Sequence, residues 1–376
     1  MAHRRNTYSA VVSNVDVGSF PTILEDDFKV HWLSLTYFLD LVRVGTKLSS
    51  IKTYADHLVD FISQLETDEL ELDQVSDNWL VAYKDTIKSR LNSSGNVNTE
   101  DYATQILRST VYFLNWLEVN KYIRGVVGED ESYKVRIQKT SNDIKHRLSK
   151  SNSKGRRRYA APRTEWIDAI KIYGPKRVDL AVRFELMIDW AKVIGLRAME
   201  DCNLKIEQLP QIETSEKAIL NKKLLTINLN VTKGGKIETV PVSPMLVKQT
   251  WEYINGYRND IVEIMERNLR KKYEIYRDPG YIFLSNKTGS MLTPRSFSNS
   301  IRKAYLAAVE NGDLTIDERV WAHGLRHNFV VNTMKQFDMD KRIKRPEAVA
   351  RQATRHGSVD AMEPYLTDRF NDDFHG

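Results

Sequence analysis

Leu224-Leu-Thr-Ile-Asn-Leu-Asn-Val-Thr232, then Lys233-Gly-Gly-Lys236, then Ile237-Glu-Thr-Val-Pro-Val242: apolar and polar residues alternate, stop at paired glycines, and alternate again. A period of two belongs to a strand, and a Gly-Gly step supports a tight turn, so the stretch predicts a β-hairpin with a lysine at each edge of its turn. The sequence around it follows another rhythm. Residues 164–204, Pro244 to about Lys272, and the chain beyond Pro294 return apolar residues every three or four positions, which is the helical period. One small antiparallel β-sheet set among helices makes this part of the chain mixed but mostly α. Between Arg197 and Lys233, the polar run from Gln208 to Lys223 reads as a surface loop.

Working towards the N-terminus, residues 28–125 read as helical throughout. Four stripes stand out: Phe28–Val42, Ser49–Leu65, Asp77–Ile87 and Asn98–Leu117. In the second, Ile51, Tyr54, Leu58, Phe61, Ile62 and Leu65 share a face behind a Ser49 cap. In the fourth, Tyr102, Ile106, Phe113, Leu114 and Leu117 point inward. Stripes of this kind pack on one another, and the expectation is a four-helix bundle. The fold class is therefore mainly α, with a helical N-terminal bundle and a mixed, mostly α C-terminal domain.

Charge divides the chain differently. Its 376 residues carry 56 Lys/Arg and 50 Asp/Glu, a net of +6. Residues 1–130 hold 12 Lys/Arg against 19 Asp/Glu, residues 131–160 hold 10 against 2, and residues 161–376 hold 34 against 29. The middle block reads as a basic linker between domains at 1–130 and 161–376, and Thr164 reads as the cap of the next helix. Lys154, Arg156, Arg157 and Arg158 read either as part of a solvated tether or as candidate DNA-binding residues, since cations laid along phosphates release counterions. Cys202 is the single cysteine, which excludes an internal disulfide framework and suits a reducing compartment. No apolar run follows the basic start and none is long enough for a membrane helix, so a cytoplasmic protein without a signal peptide or membrane association is expected.

Four short segments carry groups suited to chemistry. They are Gly195-Leu-Arg197-Ala-Met-Glu200, Thr232-Lys233-Gly-Gly-Lys236, His323-Gly-Leu-Arg326-His327, and Arg355-His356 followed by Tyr365. Taken singly, each has a plain explanation: a surface ion pair, a solvated turn, a polar helix start, a packed aromatic. His323 and His327 lie four apart without a carboxylate partner, and Arg326 beside them disfavours a metal.

In this order, however, the segments resemble the tyrosine recombinase (phage integrase) family, simple two-domain type. Ser50-Ile-Lys-Thr53-Tyr54, with Leu58 and Phe61, is similar to the family's core-binding domain. The resemblance implies a catalytic set of Arg197, Lys233, His323, Arg326, His356 and Tyr365, with Tyr365 the nucleophile and Glu200 a supporting brace. Lys236 competes with Lys233 as the general acid. It further implies duplex DNA with paired recombination sites as substrate, a homotetramer on DNA, room for an accessory directionality factor, and neither metal nor cofactor. In a bacterial host the protein would be nucleoid-associated.

The implied chemistry suits these side chains. Tyrosine attack on a phosphodiester gathers negative charge on the non-bridging oxygens, where two permanently charged guanidiniums can fork. Two readings compete: a type IB topoisomerase-like relaxing enzyme, and a DNA-binding accessory factor without catalysis. The sequence departs from the family at Thr354-Arg355, where Leu-Gly is usual. Arg355 is there expected to touch DNA or a partner subunit, or simply to be exposed.

Overall fold

The computed structural model describes the chain except residues 13, 17, 93–94, 141–142, 150–158, 231–236, 340–352 and 356–376. It forms two compact units, Met1–Arg157 and Arg158–Gly376.

The first unit is built on the four expected helices: α1 (Trp32–Arg43), α2 (Leu48–Thr67), α3 (Asp77–Ser89) and α4 (Glu100–Val119). Ile51, Leu58, Phe61, Leu80, Phe113 and Leu114 are fully buried between them. Side-chain oxygens close two of the helix starts. Ser76 Oγ accepts from the Trp79 N–H, and Thr99 Oγ1 accepts from the Tyr102 N–H. Two expectations fail in detail. Ser49 lies inside α2, whose N-cap is Lys47, and Tyr102, in the first turn of α4, is 44% exposed rather than inward.

Short strands flank the bundle. β1 (His3–Asn6) pairs antiparallel with β4 (Pro21–Leu24), and β2 (Val11–Val12) pairs with β3 (Val15–Asp16). After α4, β5 (Val127–Gly128) runs parallel to β6 (Val135–Lys139), which pairs antiparallel with β7 (Ile144–His146). Over its described part up to Ser149, this corrects the linker expected over 131–160. Val135 and Ile137 are buried in the bundle's core, and Ile144 and Leu148 pack against it. The cations of this stretch alternate with those apolar residues, so Arg136 faces outward while the strand is anchored. Lys154, Arg156, Arg157 and Arg158 lie outside the described residues.

In the second unit the order is α5 (Thr164–Ile172), α6 (Val178–Ile194), α7 (Ala198–Cys202), α8 (Ile212–Leu220), β8 (Leu225–Leu229), β9 (Glu238–Val242), α9 (Pro244–Tyr253), α10 (Asn259–Arg270), α11 (Pro294–Glu310) and α12 (Ala322–Met339). A π-helical turn, Ile254–Arg258, joins α9 to α10. β8 and β9 pair antiparallel from Leu225 opposite Val242 to Leu229 opposite Glu238, and their alternation buries Ile227, Leu229, Val240 and Val242. The turn residues 231–236, with Lys233 and Lys236, lie outside the described residues. Trp190 sits at the centre of the core and donates from Nε1 to Thr250 Oγ1 at 3.0 Å.

Two further expectations are corrected here. The Gln208–Lys223 run is not a loop, because α8 forms within it and packs on α9, burying Ser215 and Ala218. Its apolar positions are few but helically spaced. Thr164 is the first residue inside α5 rather than its cap. Its Oγ1 instead accepts from Asn328 Nδ2 at 3.2 Å and Asn332 Nδ2 at 3.3 Å, while Asn328 Nδ2 also donates to the Pro162 carbonyl at 2.9 Å. α12 is thereby fixed to the start of the unit. Among the described residues no helix is long and apolar enough to cross a membrane.

Candidate active site

The site begins where α6 stops. Gly195 ends that helix in the left-handed region at φ 68°, a conformation that glycine adopts without a steric penalty. Its missing side chain matters twice, since a Cβ there would fall 2.2 Å from Cδ1 of Phe329 on α12. The turn buries Leu196 and leaves Arg197 at the head of α7. There Glu200, one turn on, closes the helix start. Its Oε2 accepts from the Arg197 backbone N–H at 3.0 Å and its Oε1 from Arg197 Nη1 at 2.6 Å. The Arg197 side chain keeps 28% of its surface exposed, whereas Glu200 keeps 2%. A buried carboxylate thus stands behind a partly exposed guanidinium.

Arg326 comes to the same turn from α12. It is almost fully buried, donates from Nη1 to the Gly195 carbonyl at 2.5 Å, and from Nη2 to the Thr354 carbonyl. A buried guanidinium is costly unless its hydrogen bonds are met, and these carbonyls meet part of that demand.

Arg355 is the residue that sequence reasoning misplaced. Rather than reaching outward, its side chain is 7% exposed and turned into the site. Nη2 donates to the Gly195 carbonyl at 3.0 Å and to Glu200 Oε2 at 3.0 Å, and Nη1 to Glu238 Oε2 on β9 at 3.2 Å. Its backbone stands at φ 59°, in the left-handed region. That explains why glycine suits this position, and why an arginine here needs compensating contacts. The readable signal was a long basic residue where a left-handed turn was due.

Electrostatics follow the geometry. Burial works to raise the Glu200 pKa, but the Arg197 N–H, the Arg355 charge and the Arg197 guanidinium outweigh it, and the carboxyl sits below its usual value. Its neighbour Asp201 behaves oppositely. Fully buried, with neither carboxylate oxygen hydrogen-bonded among the described residues, its carboxyl is pushed well above the ordinary carboxylate range by burial and then by Glu200.

His323, itself exposed between buried neighbours, lies one turn before Arg326 at the start of α12. Its ring meets His327 edge-on at 4.8 Å between centroids, and His327 meets Trp321 at 5.7 Å. The structure thus brings Arg197, Glu200 and Arg326 to one turn and puts His323 on the helix carrying Arg326. His356 and Tyr365 lie outside the described residues. Among the described residues, no group of three or more His, Cys, Asp or Glu could hold a metal ion.

Comparison with known proteins agrees with this construction. Residues 168–342 match the family model described as the phage integrase family. The XerH site-specific recombinase bound to palindromic difH substrate, in its post-cleavage complex, is similar in fold. Its TM-score is 0.55 at 16% identity, over 93% of this chain and 90% of that one. A lambda integrase(75-356) dimer bound to a COC' core site has a TM-score of 0.56 at 13% identity, over 90% of this chain and 95% of that one. A lambda integrase tetramer bound to a Holliday junction reaches 0.54 at 13% identity, over 90% and 77%. No curated protein matches the chain. Residues 168–342, which hold the Arg197–Glu200–Arg326 turn, thus match the phage integrase family model, and the chain shares the mainly α fold of these recombinase structures.

Proposed function

We propose that the protein is a site-specific DNA recombinase that cuts and rejoins duplex DNA through a 3′-phosphotyrosine intermediate. The observation that carries this reading is the convergence of Arg197 and Arg326 on the Gly195–Glu200 turn, within the residues that match the phage integrase family model. Two permanently charged groups at one turn suit a phosphodiester whose non-bridging oxygens gain charge during attack.

In this reaction the Tyr365 phenolic oxygen attacks the scissile phosphorus while its proton passes to His323. The P–O5′ bond breaks, and the departing 5′ oxygen takes a proton from Lys233, or from Lys236 as its competitor. His356 completes the phosphate cradle. Glu200 holds Arg197 in place and moves no proton, in keeping with its lowered pKa. The phosphotyrosine ester retains the energy of the broken linkage, so a 5′ hydroxyl from a second duplex reverses the step without a nucleotide cofactor. We read the working form as a homotetramer on paired sites, supported by the shared fold of a lambda integrase tetramer on a Holliday junction.

The DNA-binding role of Lys154, Arg156, Arg157 and Arg158 belongs to the same proposal. Neutralising all four should flatten the salt dependence of binding by about 0.9 in log–log slope for each phosphate that then keeps its counterions. The central test uses nicked duplexes cut from DNA flanking the gene. Wild type should form an SDS-resistant adduct that Tyr365→Phe cannot form. An adduct persisting in Tyr365→Phe would remove the nucleophile assignment, and sequence-specific binding without any adduct would favour an accessory factor.

A further inference from the structure

We propose that Arg355 is a positioning residue that couples the lysine-bearing hairpin to the arginine pocket. This rests on the reading of Lys233 or Lys236 as the acid for the departing 5′ oxygen. Three elements meet at the one guanidinium: the end of α6 through the Gly195 carbonyl, α7 through Glu200, and β9 through Glu238. Glu238 is the first residue of β9 and stands opposite Leu229 in the last ladder pair before the turn. In the chain it follows Lys236 by two positions and Lys233 by five. An anchor at Glu238 therefore fixes the start of β9, the end of the described hairpin nearest in sequence to the lysines.

The backbone of Arg355 argues that its side chain is there for a reason. At φ 59° an arginine bears a steric strain that a glycine would not. The side chain is also buried to 7% exposure, and its Nε has no partner among the described residues. A burden of this kind is retained where the contacts serve something besides packing. Each of the two carboxylates reached by Arg355 comes from a different element, and Glu200 already has Arg197. Deleting Arg355 thus leaves the Arg197–Glu200 pair standing and releases Glu238 in particular.

That difference supplies the test. Arg355→Gly relieves the left-handed strain, so the variant should fold with an unchanged or raised melting temperature. Single-turnover cleavage is then measured on two nicked duplexes, one with the normal 5′ oxygen and one with a bridging 5′ sulfur at the scissile phosphate. A thiolate, whose conjugate acid has a pKa of about 8.5, departs without needing a proton. With oxygen, Arg355→Gly and Glu238→Gln should each slow adduct formation by about tenfold or more, since small displacements of a reacting group are expensive in rate. With sulfur, both should cleave at nearly the wild-type rate. Equal slowing on both duplexes would overturn the proposal, because it would place Arg355 on the phosphate oxygens or in general structure. Unchanged rates on both would overturn it as well. A Lys233→Ala, Lys236→Ala double variant keeps the two readings separate. If sulfur fails to rescue that variant, the acid assignment is wrong, whatever Arg355 does.

Discussion

Arg326 and Arg355 donate to a single oxygen, the carbonyl of Gly195, at 2.5 and 3.0 Å. Two cations around one acceptor repel each other in a buried setting, and Arg197 adds a third nearby. Glu200 is the offsetting charge, bonded to both Arg197 and Arg355 and 2% exposed. Glu200→Gln keeps the shape and removes that charge. It should destabilise the second unit by about 3 kcal/mol, the usual scale for stranding a buried ion, and should slow adduct formation. Urea unfolding checks the first effect, and an unshifted midpoint would contradict it.

Gly195→Ala meets two penalties. The left-handed φ of 68° costs ~1–2 kcal/mol for a residue with a Cβ. The new methyl also falls 2.2 Å from the Phe329 ring, and overpacking of this sort costs ~1–3 kcal/mol more. Phe329→Ala should remove only the second penalty. The double variant is therefore expected to be less destabilised than the sum of the singles by about 1 kcal/mol or more. Strict additivity would show that the ring moves aside freely.

Asp201 sets a pH dependence opposite in sign to that of Glu200. Its folded pKa is raised well above 3.8, so between the unfolded and folded values the folded chain holds the extra proton. Stability from this group is greatest below the unfolded pKa and falls as pH rises through the folded one. Glu200, whose folded pKa is lowered, contributes above its unfolded value and loses that contribution on acidification. Asp201→Asn cannot ionise. Its melting temperature relative to wild type should accordingly climb as pH is raised from about 4 towards 8. A constant gap across that range would mean that Asp201 is not neutral in the fold.

Ile137→Ala distinguishes a folded strand from a tether in the middle of the chain. Ile137 is 2% exposed in the core of the first unit, so truncation should cost ~2–4 kcal/mol. Calorimetry of the full chain would show the loss in the transition of that unit. A linker residue would leave the trace unchanged.

The long helices were readable because many apolar positions repeat along each, as from Ile51 to Leu65 in α2. The hairpin was readable for the same reason, with Ile227, Leu229, Val240 and Val242 falling on one face. Residues 131–149 were not, since Val135 and Ile137 are the only buried apolar positions described there among many cations, and charge counts outweighed a short alternation. The parallel β5–β6 pairing is still less visible, as two-residue strands carry almost no pattern. In the candidate site, Arg197, Glu200 and Arg326 were singled out only through the resemblance, and what the structure adds is their meeting at one turn. The placement of Arg355 was not legible, because it depends on Glu238, 117 positions away in the chain, and on a backbone angle. Asp201 was hidden similarly: nothing in Glu200-Asp201-Cys202 announces which carboxylate is paired and which is orphaned.

The burial of Arg326 has a thermodynamic consequence. Its guanidinium is stripped of water and seated against backbone carbonyls as the chain folds, before any ligand arrives. Dehydration of this cation thus burdens the folding equilibrium and not the encounter with substrate. Loosening the seat should appear first as a less durable protein, and only afterwards as a slower one.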